Sequence, residues 1–226
     1  MKKSIPNILT LGNLFCGSLA IISAVNGGYI TAFYLIIASV IFDFFDGFAA
    51  RALKAYSPIG KELDSLADMV SFGVAPAIVV YMIGLQHVGL LIALFSALRL
   101  AKFNIDERQA TTFIGLPTPA NALLFMSIGY IVESAPQSVL ATYFTNNIVL
   151  TFFTLLFSYL LVAEIPMFSL KFKTYNFKKN ALVYIFLIIS AVAIAVFQIT
   201  AIPFVIIGYV AVSIIHNFIA AKKIAD

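Results

Sequence analysis

Apolar residues occur along the chain in long runs separated by short polar or glycine-containing segments. Eight runs have about the length, roughly 17 to 25 residues, that a transmembrane helix requires. They cover residues 7–25, 29–50, 62–84, 87–103, 118–133, 147–165, 181–198 and 201–221. Gly and Pro are scattered through them, and no ten-residue alternation typical of a transmembrane β-barrel is present. The pattern predicts an all-α polytopic membrane protein with about eight transmembrane helices, forming a single domain over residues 1–226.

The composition agrees with a membrane protein. Hydrophobic residues make up 62% of the 226 positions and charged residues only 11%, with a mean hydropathy of +1.03, which excludes an ordinary soluble domain. The single cysteine, Cys16, can form neither an intrachain disulfide nor a thiolate zinc cluster. The net charge of +4 is compatible with binding to nucleic acid. No basic stripe with interleaved aromatic residues is visible, so we predict no nucleic-acid partner.

Basic residues sort to one side of the membrane when the chain is threaded through eight spans. The fourteen residues on that side are Lys2, Lys3, Arg51, Lys54, Lys61, Arg99, Lys102, Arg108, Lys171, Lys173, Lys178, Lys179, Lys222 and Lys223. Because cytoplasmic loops carry an excess of Lys and Arg, we predict that both termini are cytoplasmic and that the protein is integral to the cell (inner) membrane. Removing one span would destroy this sorting, which supports the count.

Four aspartates stand at the ends of two neighbouring apolar runs. Asp43 and Asp46 are three residues apart, and Asp64 and Asp68 are four apart. On helices each pair lies on one face, so two helices joined by a short turn would bring all four carboxylates together. Converging carboxylates near a bilayer repel one another unless protons or cations neutralise them. A bound divalent metal is the simplest solution.

The residues around the aspartates suggest the ligand as well as the metal. Oxygen ligands suit Mg²⁺ or Mn²⁺, and four carboxylates could hold two such ions, which also bind nucleotide phosphates. Gly47, Ala50 and Gly60 are small residues that leave room for a ligand to approach the helices. Arg51 could pair with a phosphate or serve as an ordinary anchor at the cytoplasmic interface.

These residues form one spaced pattern. It runs Asp43, two residues, Asp46-Gly47, two residues, Ala50-Arg51, eight residues, Gly60, three residues, Asp64, three residues, Asp68. At every position the pattern resembles the signature of the CDP-alcohol phosphotransferase family. The alternative is that the acids are structural ion-pair partners of Arg51, Lys54 and Lys61, or that some of them share protons in a carboxylate pair.

The family resemblance implies a reaction and a role for each part of the motif. An alcohol attacks the phosphorus that bears the lipid, and CMP leaves. The four aspartates bind the metals, and Asp68 also takes the proton from the acceptor hydroxyl. The segment around Gly47, Ala50 and Gly60 receives the CDP group. The site would face the cytoplasm, where CDP and small polar alcohols are found.

The first apolar run carries polar residues at regular spacing. Asn7, Thr10 and Asn13 recur every three residues and so lie along one helix face. They could provide capping and interhelical hydrogen bonds, or Asn7 and Thr10 could line the CDP site. These interruptions, together with Pro6, argue against a cleavable signal peptide after Lys2 and Lys3.

Three further stretches narrow the choice of acceptor. SIPNILTLGNLFCG near the N-terminus, LRLAKFN (98–104) and FIGLPTPANA (113–122) resemble the integral-membrane phosphatidylserine synthase branch of the family. This resemblance implies that the substrates are CDP-diacylglycerol and L-serine, and that the protein is a homodimer within membrane lipid.

A serine acceptor requires a cation for its carboxylate. Arg99 and Lys102 lie three residues apart near the cytoplasmic end of the fourth run, and Asn104 follows them. We predict that these three residues bind the acceptor or a lipid phosphate, with Arg99 the strongest candidate. Arg99 and Lys102 could instead snorkel to the interface.

Two alternative functions remain. The acceptor could be glycerol 3-phosphate or inositol phosphate, and a more distant alternative is that the protein is a cation or metabolite transporter.

Overall fold

The computed structural model describes residues 4–85, 87–106, 113–167 and 181–225. Helices account for 87% of it, which confirms the predicted all-α class. The α-helices are α1 (Ser4–Val25), α2 (Tyr29–Ala52), α3 (Pro58–Asp68), α4 (Ala75–Val80), α5 (Leu90–Ile105), α6 (Thr118–Ser134), α7 (Val139–Thr145), α8 (Asn147–Val162), α9 (Ala181–Phe197) and α10 (Ile202–Ala225). Two π-helical segments, one 3₁₀-helix and two short strands complete the described elements: Met69–Val74, Tyr81–Leu85, Gln198–Ala201, β1 (Phe113–Ile114) and β2 (Pro166–Met167).

Each predicted run coincides with helical structure, but the helices differ in how well they could cross a membrane. Within the described ranges, four helical stretches are long and apolar enough: Ser4–Val25, Tyr29–Ala52, Pro58–Gly84 and Ala181–Phe218. A fifth is added if α7 and α8, which meet at a 70° bend, count as one span. The helices α5 and α6 have only 16 and 17 residues. The predicted number of eight spans therefore stays a prediction.

The longest of these stretches, Ala181–Phe218, is a helical hairpin. Gln198 adopts a left-handed φ of 53° in the 3₁₀-helix between α9 and α10. On either side of this break the rings of Phe186 and Tyr209 lie 6.1 Å apart, so α10 folds back along α9. This stretch thus corresponds to the two separate runs that the sequence predicted.

Seven of the fourteen basic residues that predict the orientation in the membrane cannot be located in the structure. Lys2, Lys3, Arg108, Lys171, Lys173, Lys178 and Lys179 lie outside the described residues.

A tight turn joins α1 to α2 and makes the two helices antiparallel neighbours. Gly27 has a φ of 80°, and the amides of Gly27 and Gly28 donate to the carbonyls of Ala24 and Ser23 at 3.0 and 2.9 Å. This is the arrangement by which a glycine commonly ends a helix. At the start of α2, the carboxylate of Glu133 in α6 accepts a hydrogen bond from the Ile30 amide at 2.6 Å and so caps the helix.

A second short turn joins α2 to α3. Lys54 adopts a left-handed φ of 49°, and the Ala55 amide donates to the Ala50 carbonyl at 2.9 Å. Ser57 then caps α3 by accepting a hydrogen bond from the Gly60 amide at 3.1 Å, with Pro58 in the first turn. The chain therefore turns within five residues, and α3, like α2, packs against α1.

The bundle is held by two apolar clusters that meet along α4 and α6. One packs Ala20 and Ala24 of α1 and Phe33 and Ile36 of α2 against the α4 side of the bundle. The other joins α4 to α8 with α10. Because α6 contributes buried side chains to both clusters, it is the central helix of the described fold.

The strands, which the hydropathy pattern did not predict, connect α6 to the end of α8. They pair antiparallel, with Phe113 opposite Met167 and Ile114 opposite Pro166. The amides of Gly115 and Leu116 donate to the carbonyls of Ile165 and Leu160, each at 2.9 Å. The segment before α6 is thereby fixed to the end of α8, which sets where α6 begins.

The close approach of α1 to the π-helical segment at Met69–Val74 generates a prediction. A Cβ on Gly17 would lie 2.1 Å from Ser71 Oγ and 2.8 Å from Ser71 Cα. Overpacking of this kind costs about 1–3 kcal/mol, so Gly17→Ala should lower the thermal unfolding midpoint in detergent.

The matched control for this measurement is Gly208→Ala in α10. A Cβ there would be 3.9 Å from its nearest neighbour, on Phe186, which is an ordinary contact. Gly208→Ala should therefore leave the unfolding midpoint unchanged or raise it. Equal midpoints for the two variants would contradict the close packing at Gly17.

Candidate functional site

Three carboxylates from α2 and α3, two helices that both pack against α1, converge at one place. One oxygen from each of Asp43, Asp64 and Asp68 lies within 4.8 Å of the other two. Asp43 comes from α2, and Asp64 and Asp68 come from α3 one turn apart. Asp68 is only 8% exposed. The structure thus brings together three of the four aspartates that the sequence pattern selected.

The fourth aspartate, Asp46, lies beside this group and is held by α1. Its Oδ2 accepts a 2.6 Å hydrogen bond from the Thr10 hydroxyl, and the residue is 6% exposed. Asp46 and Asp64 both line the same cavity. Asp46 therefore faces the same region as the three-carboxylate group without being part of it.

Asn13 orients Asp68, a role that spacing alone did not reveal. Its Nδ2 donates to Asp68 Oδ1 at 3.1 Å, and its backbone carbonyl accepts from the hydroxyls of Ser39 and Ser71, each at 3.1 Å. Asn13 is completely buried. Its Oδ1 has no hydrogen-bond partner among the described residues, although it lies next to the carboxylates. The three-residue spacing of Asn7, Thr10 and Asn13 was the available signal.

A cavity of about 530 Å³ opens beside the carboxylates between α1, α2 and α3. Five of the predicted CDP-binding residues line it: Asn7, Thr10, Gly47, Ala50 and Gly60. At Gly60 a Cβ would lie 3.2 Å from Asn7 Oδ1, so a larger side chain would crowd the cavity wall. Tyr56 and Lys61 also line the cavity and were not predicted.

Arg51, the sixth predicted CDP-binding residue, lies beside the cavity and does not line it. It is exposed, and its Nη1 would be 3.4 Å from a Cβ on Gly47, so the side chain folds back over that glycine. Its positive charge acts on Asp46. Arg51 could reach a phosphate held near Gly47 or Asp46.

Arg99, which was predicted slightly inside the membrane at the cytoplasmic end of the fourth run, is buried in the structure. It is 8% exposed, its Nη1 donates to Thr118 Oγ1 at 3.3 Å, and its Cζ lies 5.0 Å from the ring centroid of Phe103. Its charge attracts the carboxylates of Asp43 and Asp68. Arg99 is therefore a buried cation whose charge acts on these carboxylates, and its side chain does not extend into solvent.

The other two predicted acceptor residues occupy different surroundings. Lys102 is exposed and, with Arg99 and Glu164, lines a small cavity of about 30 Å³. Asn104 donates from its Nδ2 to Ser65 Oγ at 2.8 Å, and its carbonyl accepts from Lys61 Nζ at 2.8 Å. Asn104 thus ties the end of α5 to α3, which is a structural role.

The carboxylate group has the chemistry of a divalent-cation site. Its side-chain donors are all oxygens, as hard cations such as Mg²⁺ and Mn²⁺ require. Three mutually close carboxylates repel each other unless a positive charge lies among them. Asp43, Asp64 and Asp68 could therefore hold a metal, with Asp46 adjacent. Asn13 Oδ1, which has no partner among the residues that the structure describes, is also nearby.

Comparison with known proteins identifies the family to which these residues belong. Residues 3–160 match the family model described as CDP-alcohol phosphatidyltransferase. The chain belongs to this family. The matched region extends from α1 through nearly all of α8 and contains the complete aspartate motif, while α9 and α10 lie beyond it.

Named relatives within the CDP-alcohol phosphatidyltransferase family are similar over most of the chain. A CDP-diacylglycerol–serine O-phosphatidyltransferase of Bacillus subtilis (strain 168) is 39% identical over 184 residues, covering 78% of this chain and 93% of that protein. A protein of the same name from Helicobacter pylori (strain ATCC 700392 / 26695) is 35% identical, covering 80% of this chain and 79% of that protein. An archaetidylserine synthase of Methanothermobacter thermautotrophicus is 36% identical over 132 residues, covering 55% of this chain and 57% of that protein.

We expect the carboxylate group to bind Mn²⁺ in the absence of substrates. Asn13→Ala removes only the partner of Asp68 and should weaken binding about 10- to 100-fold, as the loss of an outer hydrogen-bond partner does in metal sites. Asp64→Asn removes a charged ligand and should weaken binding more than Asn13→Ala. Titration of free Mn²⁺ by electron paramagnetic resonance measures both affinities.

The matched control is Glu62→Gln, because Glu62 is exposed on the same helix as Asp64. It should bind Mn²⁺ as the unsubstituted protein does. Unchanged affinity in Asp64→Asn would exclude a metal site at this position.

Proposed function

We propose that this protein transfers the phosphatidyl group of CDP-diacylglycerol to the hydroxyl of L-serine, giving phosphatidylserine and CMP. The observation that carries the proposal is the partly buried aspartate group beside a cavity of about 530 Å³, with Asp64 belonging to both. With a divalent cation held by its carboxylates, such a site would neutralise a diphosphate at one end, and its cavity would receive a nucleotide at the other. The names of the relatives in B. subtilis and H. pylori support serine as the acceptor.

The reaction is a displacement at phosphorus. The serine hydroxyl oxygen forms a bond to the phosphorus that carries diacylglycerol, and the bond from that phosphorus to the CMP oxygen breaks. The hydroxyl proton passes to Asp68, and the bond electrons leave with CMP. The buried position of Asp68 and its hydrogen bond from Asn13 support its assignment as the base, since a base must be held in one orientation to accept a proton.

Asp43, Asp46, Asp64 and Asp68 would hold the metal, which we propose is Mg²⁺ or Mn²⁺, present as two ions. When bound, such ions neutralise the diphosphate and stabilise the charge that develops on the departing oxygen. The chain itself supplies the geometry. Thr10 holds Asp46 and Asn13 holds Asp68, so α1 sets the directions of two carboxylates.

The CDP group would occupy the cavity between α1, α2 and α3. Asn7 offers an amide for the base or ribose, and Gly47, Ala50 and Gly60 leave the space that a nucleotide needs. Arg51, folded over Gly47, would pair with a phosphate through its planar guanidinium. The acyl chains would remain in the bilayer, which is why the reaction requires a membrane protein.

Arg99 would bind the acceptor carboxylate. It is the buried cation whose charge already acts on Asp43 and Asp68, so an anionic acceptor bound there would have its hydroxyl near the proposed base. Lys102 lies one turn further along α5 and could assist at the entrance. Asn104 contributes by joining α5 to α3.

We also propose the membrane arrangement that the basic residues indicate. The chain spans the inner membrane eight times as a single domain, with both termini and the active site on the cytoplasmic side. The α9–α10 hairpin and the two apolar clusters that share α4 and α6 support this arrangement. The homodimer implied by the family resemblance stays a prediction.

Purified protein should release CMP from CDP-diacylglycerol when L-serine and Mg²⁺ or Mn²⁺ are present, and excess chelator should abolish the release. Asp68→Asn should reduce kcat by about 10²- to 10⁴-fold, the usual contribution of a general base. Glu62→Gln on the exposed side of α3 should retain full activity. The measurement is CMP release, with the lipid product identified by mass spectrometry.

The outcomes of this assay separate the alternatives. Release stimulated by glycerol 3-phosphate or inositol phosphate, but not by serine, would exclude serine as the acceptor and keep the aspartate mechanism. An absence of release with any alcohol would contradict the proposed transfer and favour a transporter. Near-normal turnover in Asp68→Asn would show that Asp68 is not the base.

A reporter placed after residue 226 should be on the cytoplasmic side. Green fluorescent protein fused there should fluoresce, because it folds in the cytoplasm, whereas alkaline phosphatase should be inactive. The reverse is expected for both reporters inserted between α6 and α7, at residues 135–138. Active alkaline phosphatase at the C-terminus would contradict the eight-span arrangement.

A further inference from the structure

The cavity beside the carboxylates has a cation in its wall that the sequence pattern did not select for the site. Two carboxylates, those of Asp46 and Asp64, line this cavity of about 530 Å³. Among its lining residues that the structure describes, Lys61 is the only one with a positive charge. An anionic ligand in the cavity would be repelled by the two carboxylates and attracted by Lys61.

The place of Lys61 along α3 indicates which part of a ligand it would meet. Lys61 and Asp64 are three residues apart and so lie on one face of the helix. On the other side of Lys61 is Gly60, where a Cβ would lie 3.2 Å from Asn7 Oδ1. Lys61 therefore stands between the carboxylate end of the cavity wall and the part formed by Gly60 and Asn7. A nucleoside beside Asn7 would have its phosphates near Lys61.

The ammonium of Lys61 is held by the end of α5. Lys61 Nζ donates to the backbone carbonyl of Asn104 at 2.8 Å. Asn104 Nδ2 donates to Ser65 Oγ at 2.8 Å, and Ser65 Oγ donates to the Lys61 carbonyl at 3.3 Å. These three bonds form a closed ring between α3 and α5. A flexible side chain that is already held in place loses less conformational freedom when it binds a ligand.

This hydrogen bond does not by itself explain why a charged residue stands at position 61. A carbonyl oxygen needs only one N–H donor, and a neutral side chain can supply it. An ammonium has three donors, so two remain for a ligand after the bond to Asn104. Lys61 is also exposed, so a phosphate that enters the cavity can reach its ammonium.

We propose that Lys61 binds the diphosphate of the cytidine nucleotide and that Asn104 positions Lys61 through its backbone carbonyl. The proposal rests on the proposed function, because it takes the cavity as the place where the CDP group binds. Lys61 acts as a compact positive charge that reaches phosphate oxygens, the usual way in which lysine binds phosphate.

Lys61→Met tests the proposal, because methionine keeps an unbranched apolar chain and removes the ammonium. The dissociation constants of CDP and of cytidine are measured on the full chain in detergent with Mg²⁺. Kd for CDP should rise about tenfold or more, as expected when a hydrogen bond between charged groups is lost, whereas Kd for cytidine should stay within about twofold. The difference in CDP affinity between the two proteins should shrink at about 1 M salt, which screens exposed charges.

Lys54→Met is the matched control. Lys54 is exposed in the turn before α3 and does not line the cavity, so its replacement removes the same charge from the neighbourhood without touching the ligand. Kd for CDP should be unchanged. Lys61→Arg keeps the charge and should retain more CDP affinity than Lys61→Met. In Lys61→Met the affinity for Mn²⁺ without nucleotide should not fall, because Lys61 is not one of the carboxylate ligands.

A double substitution tests whether Asn104 acts through Lys61. Ser65→Ala removes the acceptor of the Asn104 amide and should weaken CDP binding less than Lys61→Met does. Added to Lys61→Met, it should cause little further loss, since residues that act together are not additive. Full additivity of the two losses would overturn the positioning by Asn104.

The remaining outcomes decide the proposal. An unchanged Kd for CDP in Lys61→Met would overturn it. So would an equal loss of CDP and cytidine affinity, which would show that Lys61 only maintains the shape of the cavity wall. If Lys61→Met does not fold, Lys61→Gln removes the charge and keeps a donor for the Asn104 carbonyl, and the same loss of CDP affinity is expected.

Failure of the proposed function is a separate result. It follows if the unsubstituted protein shows no serine-dependent release of CMP, and the CDP and cytidine affinities then still decide the role of Lys61. An absence of CDP binding to the unsubstituted protein would overturn the proposal directly.

Discussion

The fold depends on keeping several carboxylates close together inside a helical membrane protein. Asp43, Asp64 and Asp68 lie within 4.8 Å of one another and Asp46 is beside them. Their mutual repulsion and their loss of hydration are both unfavourable. Only fixed partners and a compensating positive charge allow this arrangement, and the surrounding helices supply both. The close carboxylates are thus both unfavourable for folding and suited to binding a cation.

The hydrogen-bond partners of the aspartates come chiefly from α1, which is otherwise an apolar helix. Thr10 binds Asp46, Asn13 binds Asp68, and the carbonyl of Asn13 is itself held by Ser39 and Ser71. One turn beyond Asn13, Gly17 allows the backbone of α1 to approach the π-helical segment that begins directly after Asp68. A π-helical segment changes the direction of side chains along a helix and is frequent at functional sites. The close packing of Gly17 against Ser71 and the hydrogen bond from Asn13 thus both help to fix the position of Asp68.

The positive charge comes from Arg99, and its surroundings differ from those of the other basic residues. Arg51 and Lys102 are exposed near the ends of their helices, whereas Arg99 is buried between the aspartates and α6. A buried guanidinium requires hydrogen-bond acceptors around it, because it carries only donors. The pairing of β1 with β2 fixes the start of α6, and with it Thr118. The short strands therefore influence the surroundings of Arg99, and Ile114 of β1 lines the same small cavity as Arg99.

Hydropathy alone determined that the chain is helical and where its long apolar helices run, because a membrane-spanning helix must be apolar over most of its length. It did not predict the short helix α7, which lies between two of the predicted runs. The spacing of the aspartates alone determined that Asp64 and Asp68 share a face and meet Asp43 across a short turn. Only the tertiary structure decided that Asp46 is held apart by Thr10, that Asn13 orients Asp68, that Asn104 joins α5 to α3, and that Arg99 is buried. These contacts join residues up to 55 positions apart. Sequence periodicity describes one helix at a time, whereas the partners of a buried polar group depend on how separate helices pack.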